Sequence, residues 1–283
     1  MTIRIKEEIQ HLQDIFCERE TKIFHACQLQ DFESYVKLGG VPSRNKLEKC
    51  GLPFTKFDTD DTDKKHGLWD KVFGNFADFG SKFAKSTSKS FPNPYGPILL
   101  VFTPSSLDHM TDIAISLRSA GARDFVRDSE CLKSSQDVNL IYANPVRKGD
   151  HTDRFLAFDA QLNERFGRTN CKSAEFNSTL DGELISFENL AYVIVDNCCS
   201  GERLLIDKVK NMINKKVIAR TYEGRRAEMM YELSSLLKFK DQTKATLAEN
   251  KSLSSELKEY LPTVTDFHFN RFLKYLANGT VRT

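Results

Sequence analysis

This chain of 283 residues is defined first by what it has little of. Its seven cysteines (Cys17, Cys27, Cys50, Cys131, Cys171, Cys198 and Cys199) form no C-x-x-C pair and show no zinc-ligand spacing, which excludes the common structural zinc modules. An odd number of scattered thiols argues against a disulfide framework and fits a reducing compartment. No apolar run approaches the roughly 20 residues that a membrane helix needs. Met1 leads straight into the charged stretch Ile3-Arg4-Ile5-Lys6-Glu7-Glu8, which predicts no secretory leader. A formal charge of only +2 gives no bulk attraction to polyanions, so any nucleic-acid surface must come from local clustering. There is no internal repeat. What remains is 40% apolar and 28% charged residues, the balance of a folded globular chain. The expectation is a soluble cytoplasmic protein with neither a metal centre nor a membrane partner.

Apolar periodicity then gives the elements. Ile5, Ile9, Leu12 and Phe16 recur at steps of three and four, predicting a helix over 3–18. Residues 22–27 read as a short strand, and 29–38 as a helix with Leu29, Phe32, Tyr35, Val36 and Leu38 inward, stopped by Gly39-Gly40. Residues 44–66 read as an irregular loop. Trp69, Phe73, Phe76, Phe79 and Phe83 recur at near-helical spacing, interrupted by Gly74 and Gly80. Such a stripe is more often core than a base-stacking surface. Residues 85–97 read as a loop. The run Ile98-Leu99-Leu100-Val101-Phe102 after Pro97 reads as a buried central strand, with further strands at 138–142 and 190–195 and a helix at 152–166. Strands in the middle and helices at the edges predict an α+β fold. From Gly201 the pattern turns to helix, short strand (217–219) and helix, and after Asp241 to two helices split by Pro262. The expected organisation is a body at 1–200 and a helical extension at 201–283, whose segment 203–240 carries ten Lys or Arg against four Asp or Glu.

Three segments carry residues suited to chemistry. Glu183 follows Gly182 at the head of an apolar strand, where a ligand can approach the backbone closely. His25 lies inside an apolar strand, and Arg44 follows the turn Pro42-Ser43. Taken singly, these are a strand-end carboxylate, a core histidine and a solvated loop arginine. Together, a histidine, an arginine and a carboxylate on separate segments suit a dinucleotide with a breakable glycosidic bond. The arginine can grip a pyrophosphate, and a carboxylate can stabilise the positive charge that develops as such a bond opens.

His25 with Leu29-Gln30-Asp31-Phe32-Glu33-Ser34-Tyr35, and the run Gly39-Gly40-Val41-Pro42-Ser43-Arg44-Asn45-Lys46-Leu47, resemble the amino-terminal signature of the DarT toxins. These are bacterial ADP-ribosyltransferases that modify nucleobases in DNA using NAD. Ile98 to Pro104 resembles that family's central strand, and Asp181-Gly182-Glu183-Leu184-Ile185 resembles the strand bearing its catalytic glutamate. The resemblance spans about residues 22–200 as short islands, and their order and spacing carry it. It implies an ADP-ribosyltransferase split β-sandwich with flanking helices; the helical C-terminal extension read from 201–283 has no counterpart in the resemblance. It also implies NAD as the ADP-ribose donor, Glu183 and Arg44 as catalytic residues (Arg123 is the second candidate for the arginine), and His25, Ser43, Arg44 and Phe102 around the NAD. One departure stands out: the family usually has an asparagine-leucine pair where this chain has Asp31-Phe32.

The polar stretch 167–182 ahead of Glu183 is where such enzymes meet their substrate. Arg168 and Lys172 there suit phosphates, while Asn170 and Asn177 suit a base edge; a plain surface loop is the equal alternative. Because a base must be unstacked before it is attacked, the expected partner is single-stranded DNA or RNA. By analogy with the toxins, a restraining antitoxin protein is a second partner. Two other readings stand beside this one. The first is a transferase that modifies protein, and the second is a catalytically silent nucleic-acid-binding module whose binding falls steeply with salt.

Overall fold

The computed structural model describes residues 3–4, 6–56, 60–76, 78, 95–116, 131–140, 175–196, 199–200, 203–220, 249, 251 and 255–263. Helix α1 (Lys6–Glu18) buries Ile9, Leu12, Ile15 and Phe16, the stripe set by its three-and-four spacing. Strand β1 (Ile23–Cys27) follows, then α2 (Leu29–Leu38), which ends at Gly39. Next come β2 (Gly40–Pro42), α3 (Arg44–Lys49), α4 (Asp60–Lys65), β3 (Val72–Asn75) and β4 (Ile98–Phe102). A 3-10 turn over Pro104–Leu107 leads to β5 (Met110–Ser116), then α5 (Ser135–Leu140) and β6 (Glu175–Leu180). The chain continues through β7 (Leu184–Ser186), β8 (Leu190–Asp196), the short pair β9 (Cys199–Ser200) and β10 (Arg203–Leu204), α6 (Leu205–Met212), β11 (Val217–Arg220) and α7 (Ser255–Tyr260).

Among the described residues, seven strands form one sheet in the order β11-β8-β4-β1-β3-β6-β5. Every neighbouring pair is antiparallel except β8 with β11, which run parallel on either side of α6. A parallel pair needs such a crossover, because a tight hairpin reverses direction. The architecture is therefore mixed α/β around a large, mostly antiparallel sheet.

All five residues of β4 are buried, which matches its unbroken apolar run. Ile98, Leu100 and Phe102 face the main core, while Leu99 and Val101 point the other way and pack with Phe24. The sheet has one thin seam. β1 meets β4 at five paired positions but, among the described residues, meets β3 only at Phe24 opposite Asn75, so the seam divides four strands from three. Leu205 and Val209 of α6 join the main core, and β11 is an edge of the same sheet.

Three expectations are corrected, and one open reading is decided. Residues 44–66 contain two short helices, α3 and α4, rather than irregular loop throughout. The element under the aromatic stripe, left open by Gly74, is over 69–76 a turn and a strand rather than a helix. Trp69 lies in a turn, Phe73 lies in β3, and Phe76 is buried against Phe16 and Phe176, with ring centroids 5.2 and 5.6 Å apart. The period-two burial of Val72 and Gly74 decides that element. The expected strand at 138–142 is, over 135–140, the helix α5. Its start is fixed by a reciprocal cap: the backbone N–H groups of Lys133 and Ser134 donate to Asp137 Oδ2 at 3.0 and 3.3 Å, and Asp137 N donates to Ser134 Oγ at 3.4 Å. Finally, the polar stretch before Glu183 ends in the strand β6, paired on both sides. The expected helix at 152–166 lies outside the described residues, as do most residues after 220. Among the described residues no helix is long and apolar enough to cross a membrane.

Candidate active site

The two-stranded ladder of β2 with β7 brings the arginine segment to the glutamate. Gly40 pairs with Ser186, Val41 with Ile185 and Pro42 with Leu184. One residue further on, Ser43 N donates to the Glu183 carbonyl at 2.9 Å. Ser43 is fully buried, and its hydroxyl caps α3 by accepting from Lys46 N at 3.1 Å. Sequence positions about 140 apart thus meet at one corner.

Glu183 sits on an uncommon backbone. Gly182 has φ 75° and Glu183 itself φ 56°, two successive left-handed residues that swing the chain into β7. Glycine takes this conformation freely, but for a glutamate it costs about 1 kcal/mol and persists only where surroundings impose it. Here α3 imposes it. Asn45 Nδ2 donates to Glu183 Oε1 at 3.0 Å, Lys49 Nζ reaches the same oxygen at 3.4 Å, and the Lys46 ammonium donates to the Gly182 carbonyl. The Glu183 side chain is 29% exposed and Lys49 is 63% exposed. The carboxylate is therefore reachable from solvent, and its ion pair with Lys49 is a weak one.

Arg44 points from the start of α3 toward β1 and α2. Its guanidinium lies 3.6 Å from Asp31 Oδ1 and 4.9 Å from the centroid of the Phe54 ring. Asp31, 2% exposed, also accepts from Thr55 N at 2.7 Å on Oδ1 and from Gln28 N at 3.4 Å on Oδ2. The residue that departs from the family pattern is thus a buried anion with defined partners, one of them the arginine.

His25 lies across the seam of the sheet. Its Nδ1 is 2.8 Å from the Phe73 carbonyl, which can only accept, so Nδ1 carries the proton. Nε2 is then an acceptor and receives the Tyr35 hydroxyl at 3.3 Å. Burial pushes the imidazole pKa down, the Phe73 contact opposes this, and the Arg44 charge lowers it further. His25 is a neutral ring with a fixed tautomer. The Tyr35 hydroxyl is pushed well above its usual range by burial and by Asp31.

Phe102 is fully buried, with Phe187 between it and Phe32: ring centroids lie 6.5 Å apart for Phe102–Phe187 and 6.4 Å for Phe32–Phe187. It supports the corner from beneath. Asn177 lies in β6 and is 2% exposed, within the sheet rather than at its surface. Arg168, Asn170, Lys172 and Arg123 lie outside the described residues. Among the residues described, Ser43, Arg44 and Glu183 meet at the start of α3, while His25 lies on β1 against Phe73 and Tyr35, within reach of the Arg44 charge; no group of three or more His, Cys, Asp or Glu among them is placed to hold a metal.

Sequence reading missed Asn45, Lys46, Lys49 and Asp31. The signal for the first three was present: residues 45 and 49 are one helical turn apart, so they share a face once α3 is recognised. Trp69 also belongs to this corner. Its carbonyl accepts from Asn45 N at 2.9 Å, and its indole N–H donates to Glu48 Oε2 at 2.7 Å. Lys64 Nζ sits 4.2 Å from its ring centroid.

No protein-family model matches the chain, and no curated protein matches it. Among solved structures, a remote likeness is found to Thermus sp. 2.9 DarT in complex with ADP-ribosylated ssDNA. That match has TM-score 0.40 and 12% identity, over 71% of this chain and 94% of that one. The same protein in complex with NAD+ matches with TM-score 0.38 and 10% identity, over 71% and 95%. A likeness this remote carries no argument about activity, which has to rest on the residues themselves.

Proposed function

We propose that this chain is an NAD-dependent ADP-ribosyltransferase acting on a nucleobase of single-stranded DNA or RNA. The observation that carries the reading is the state of Glu183. Both of its side-chain contacts fall on Oε1, and Oε2 has no partner among the described residues. A carboxylate held by one oxygen and offering the other suits hydrogen bonding to a ribose hydroxyl beside a forming positive charge. The resemblance of the segments around His25, Arg44 and Glu183 to the DarT signature adds to it.

The residues fit a dinucleotide. Arg44 offers a planar, permanently charged fork, 21% exposed and steadied by Phe54 and Asp31, toward a pyrophosphate. Thr55, fully buried, steadies the Asp31 carboxylate beside Arg44 through its backbone N–H at 2.7 Å. His25, neutral and tethered through Nδ1, holds its place beside Tyr35 without adding charge near Arg44. When bound, NAD supplies the ribose–nicotinamide bond whose opening releases nicotinamide. Glu183 then has two tasks: to stabilise positive charge at the ribose carbon, and to take the proton from an attacking base nitrogen. The fold implied for this activity is the split β-sandwich, with which the mixed α/β architecture around a large, mostly antiparallel sheet is compatible.

The test is nicotinamide release from NAD by wild-type protein and by Glu183→Gln, with and without single-stranded DNA and RNA. The proposal expects release that is stimulated by one polymer and falls at least about 100-fold in the variant, the scale of a lost transition-state contact. Salt-sensitive polymer binding with NAD left intact would point instead to a silent binding module.

A further inference from the structure

We infer that Asn45 is the positioning residue for Glu183, fixing which carboxylate oxygen faces the substrate. The inference rests on the proposed reaction and goes beyond it, to a residue outside the set that the resemblance implies. Three facts support it.

First, Asn45 is tied down at both ends. Its backbone N–H donates to the Trp69 carbonyl at 2.9 Å, and its side-chain amide donates to Glu183 Oε1 at 3.0 Å. An amide fixed at its backbone loses little further freedom on holding a carboxylate, unlike a long flexible ammonium. Second, the competing donor is weaker. Lys49 reaches the same oxygen at 3.4 Å from a side chain 63% exposed, so water competes for it. Third, the turn bearing Glu183 is left-handed at two successive residues and needs an external hold. Residues 43–49 provide that hold through the Ser43 N–H, the Lys46 ammonium and Asn45. Of these contacts on the turn, Asn45 provides the close one to the carboxylate itself. With Oε1 taken, the ribose-facing role falls to Oε2.

The experiment compares wild type, Asn45→Ala, Asn45→Asp and Lys49→Ala in nicotinamide release, calorimetric NAD binding and side-chain amide NMR. Asn45→Ala is expected to lower kcat about 100-fold, the cost of a misplaced catalytic group, with KM and the NAD Kd within about twofold. Asn45→Asp, which sets a carboxylate against a carboxylate, falls at least as far. Lys49→Ala falls less far than Asn45→Ala, because its longer contact from an exposed side chain is the weaker of the two. Independently of turnover, the Asn45 side-chain amide protons should shift downfield in wild type and return to the free-amide position in Glu183→Ala. Amide protons indifferent to Glu183→Ala, or an Asn45→Ala enzyme within threefold of wild type, would overturn this inference alone. Wild type that leaves NAD untouched would overturn the proposed reaction, and this inference with it.

Discussion

Asp31 should behave as a structural anion whose removal exposes the energetics of the corner. In Asp31→Ala, the Thr55 N–H loses its 2.7 Å acceptor and Arg44 loses its ion pair with Asp31. Breaking a buried pair from one side costs about 3–5 kcal/mol, because the other charge remains without compensation. Arg44 is 21% exposed, so water takes up part of that charge and the lower end applies, about 3 kcal/mol. Asp31→Asn keeps an oxygen for Thr55 N but discards the charge, and should cost about 1–2 kcal/mol. Urea unfolding followed by circular dichroism gives both numbers. With a slope of about 3 kcal/mol per molar, the Asp31→Ala midpoint falls by about 1 M. Pairing each change with Arg44→Leu closes a double-mutant cycle, in which a coupling above about 1 kcal/mol is expected. A midpoint for Asp31→Ala within about 0.2 M of wild type, or no coupling to Arg44, would refute the assignment of Asp31 as that arginine's anchor.

Other outcomes follow from the same geometry. Arg44→Lys should raise KM for NAD about 10-fold or more in steady-state assays, since a point charge replaces neither the bidentate fork nor its stacking on Phe54. Gly40→Ala should lose activity along with stability, because its new Cβ would lie 2.3 Å from the Ile185 carbonyl and prise β2 from β7; thermal melting and nicotinamide release check both. Asp112 titrates low: burial raises its pKa, but hydrogen bonds from Lys71 and Thr179 outweigh it. A depressed folded pKa means the stabilisation is complete above the ordinary carboxylate range and is lost as pH falls through the folded value. Wild type should therefore lose stability more steeply than Lys71→Met as pH drops from 5 toward 2 in calorimetry, about the window set by ordinary aspartate. Trp69 is the chain's one tryptophan, so its emission should change when a ligand occupies the corner, as fluorescence titration with NAD would show.

How much of this was legible before the structure depends on the kind of signal. β4 and β8 announce themselves as apolar runs, and α1 and α2 as stripes with a clear period, because their burial is large and regular. β6 does not. Asn177 and Ser178 are polar residues buried in the sheet, Ser178 donating to the Asp112 carbonyl, and such residues read as loop. β5, with the bulge at Met110 to Asp112, escaped notice for want of a clean alternation. α3 is six residues long and owes its existence to the Ser43 cap and tertiary contacts rather than to propensity. In the site, Glu183, Arg44 and His25 were visible as unusual residues in telling contexts. Asn45 was not, and Asp31 showed only as a departure from the DarT signature, since their roles arise from what the β2–β7 ladder and the segment at Thr55 bring beside them. Positions fixed by long-range pairing leave little local trace.

The most direct test of the central claim is intact mass spectrometry of single-stranded DNA and RNA oligonucleotides incubated with NAD and either wild type or Glu183→Gln. The account predicts an ADP-ribose adduct on one polymer with wild type and none with the variant. Unmodified oligonucleotides with NAD intact, or an adduct that persists in Glu183→Gln, would contradict it.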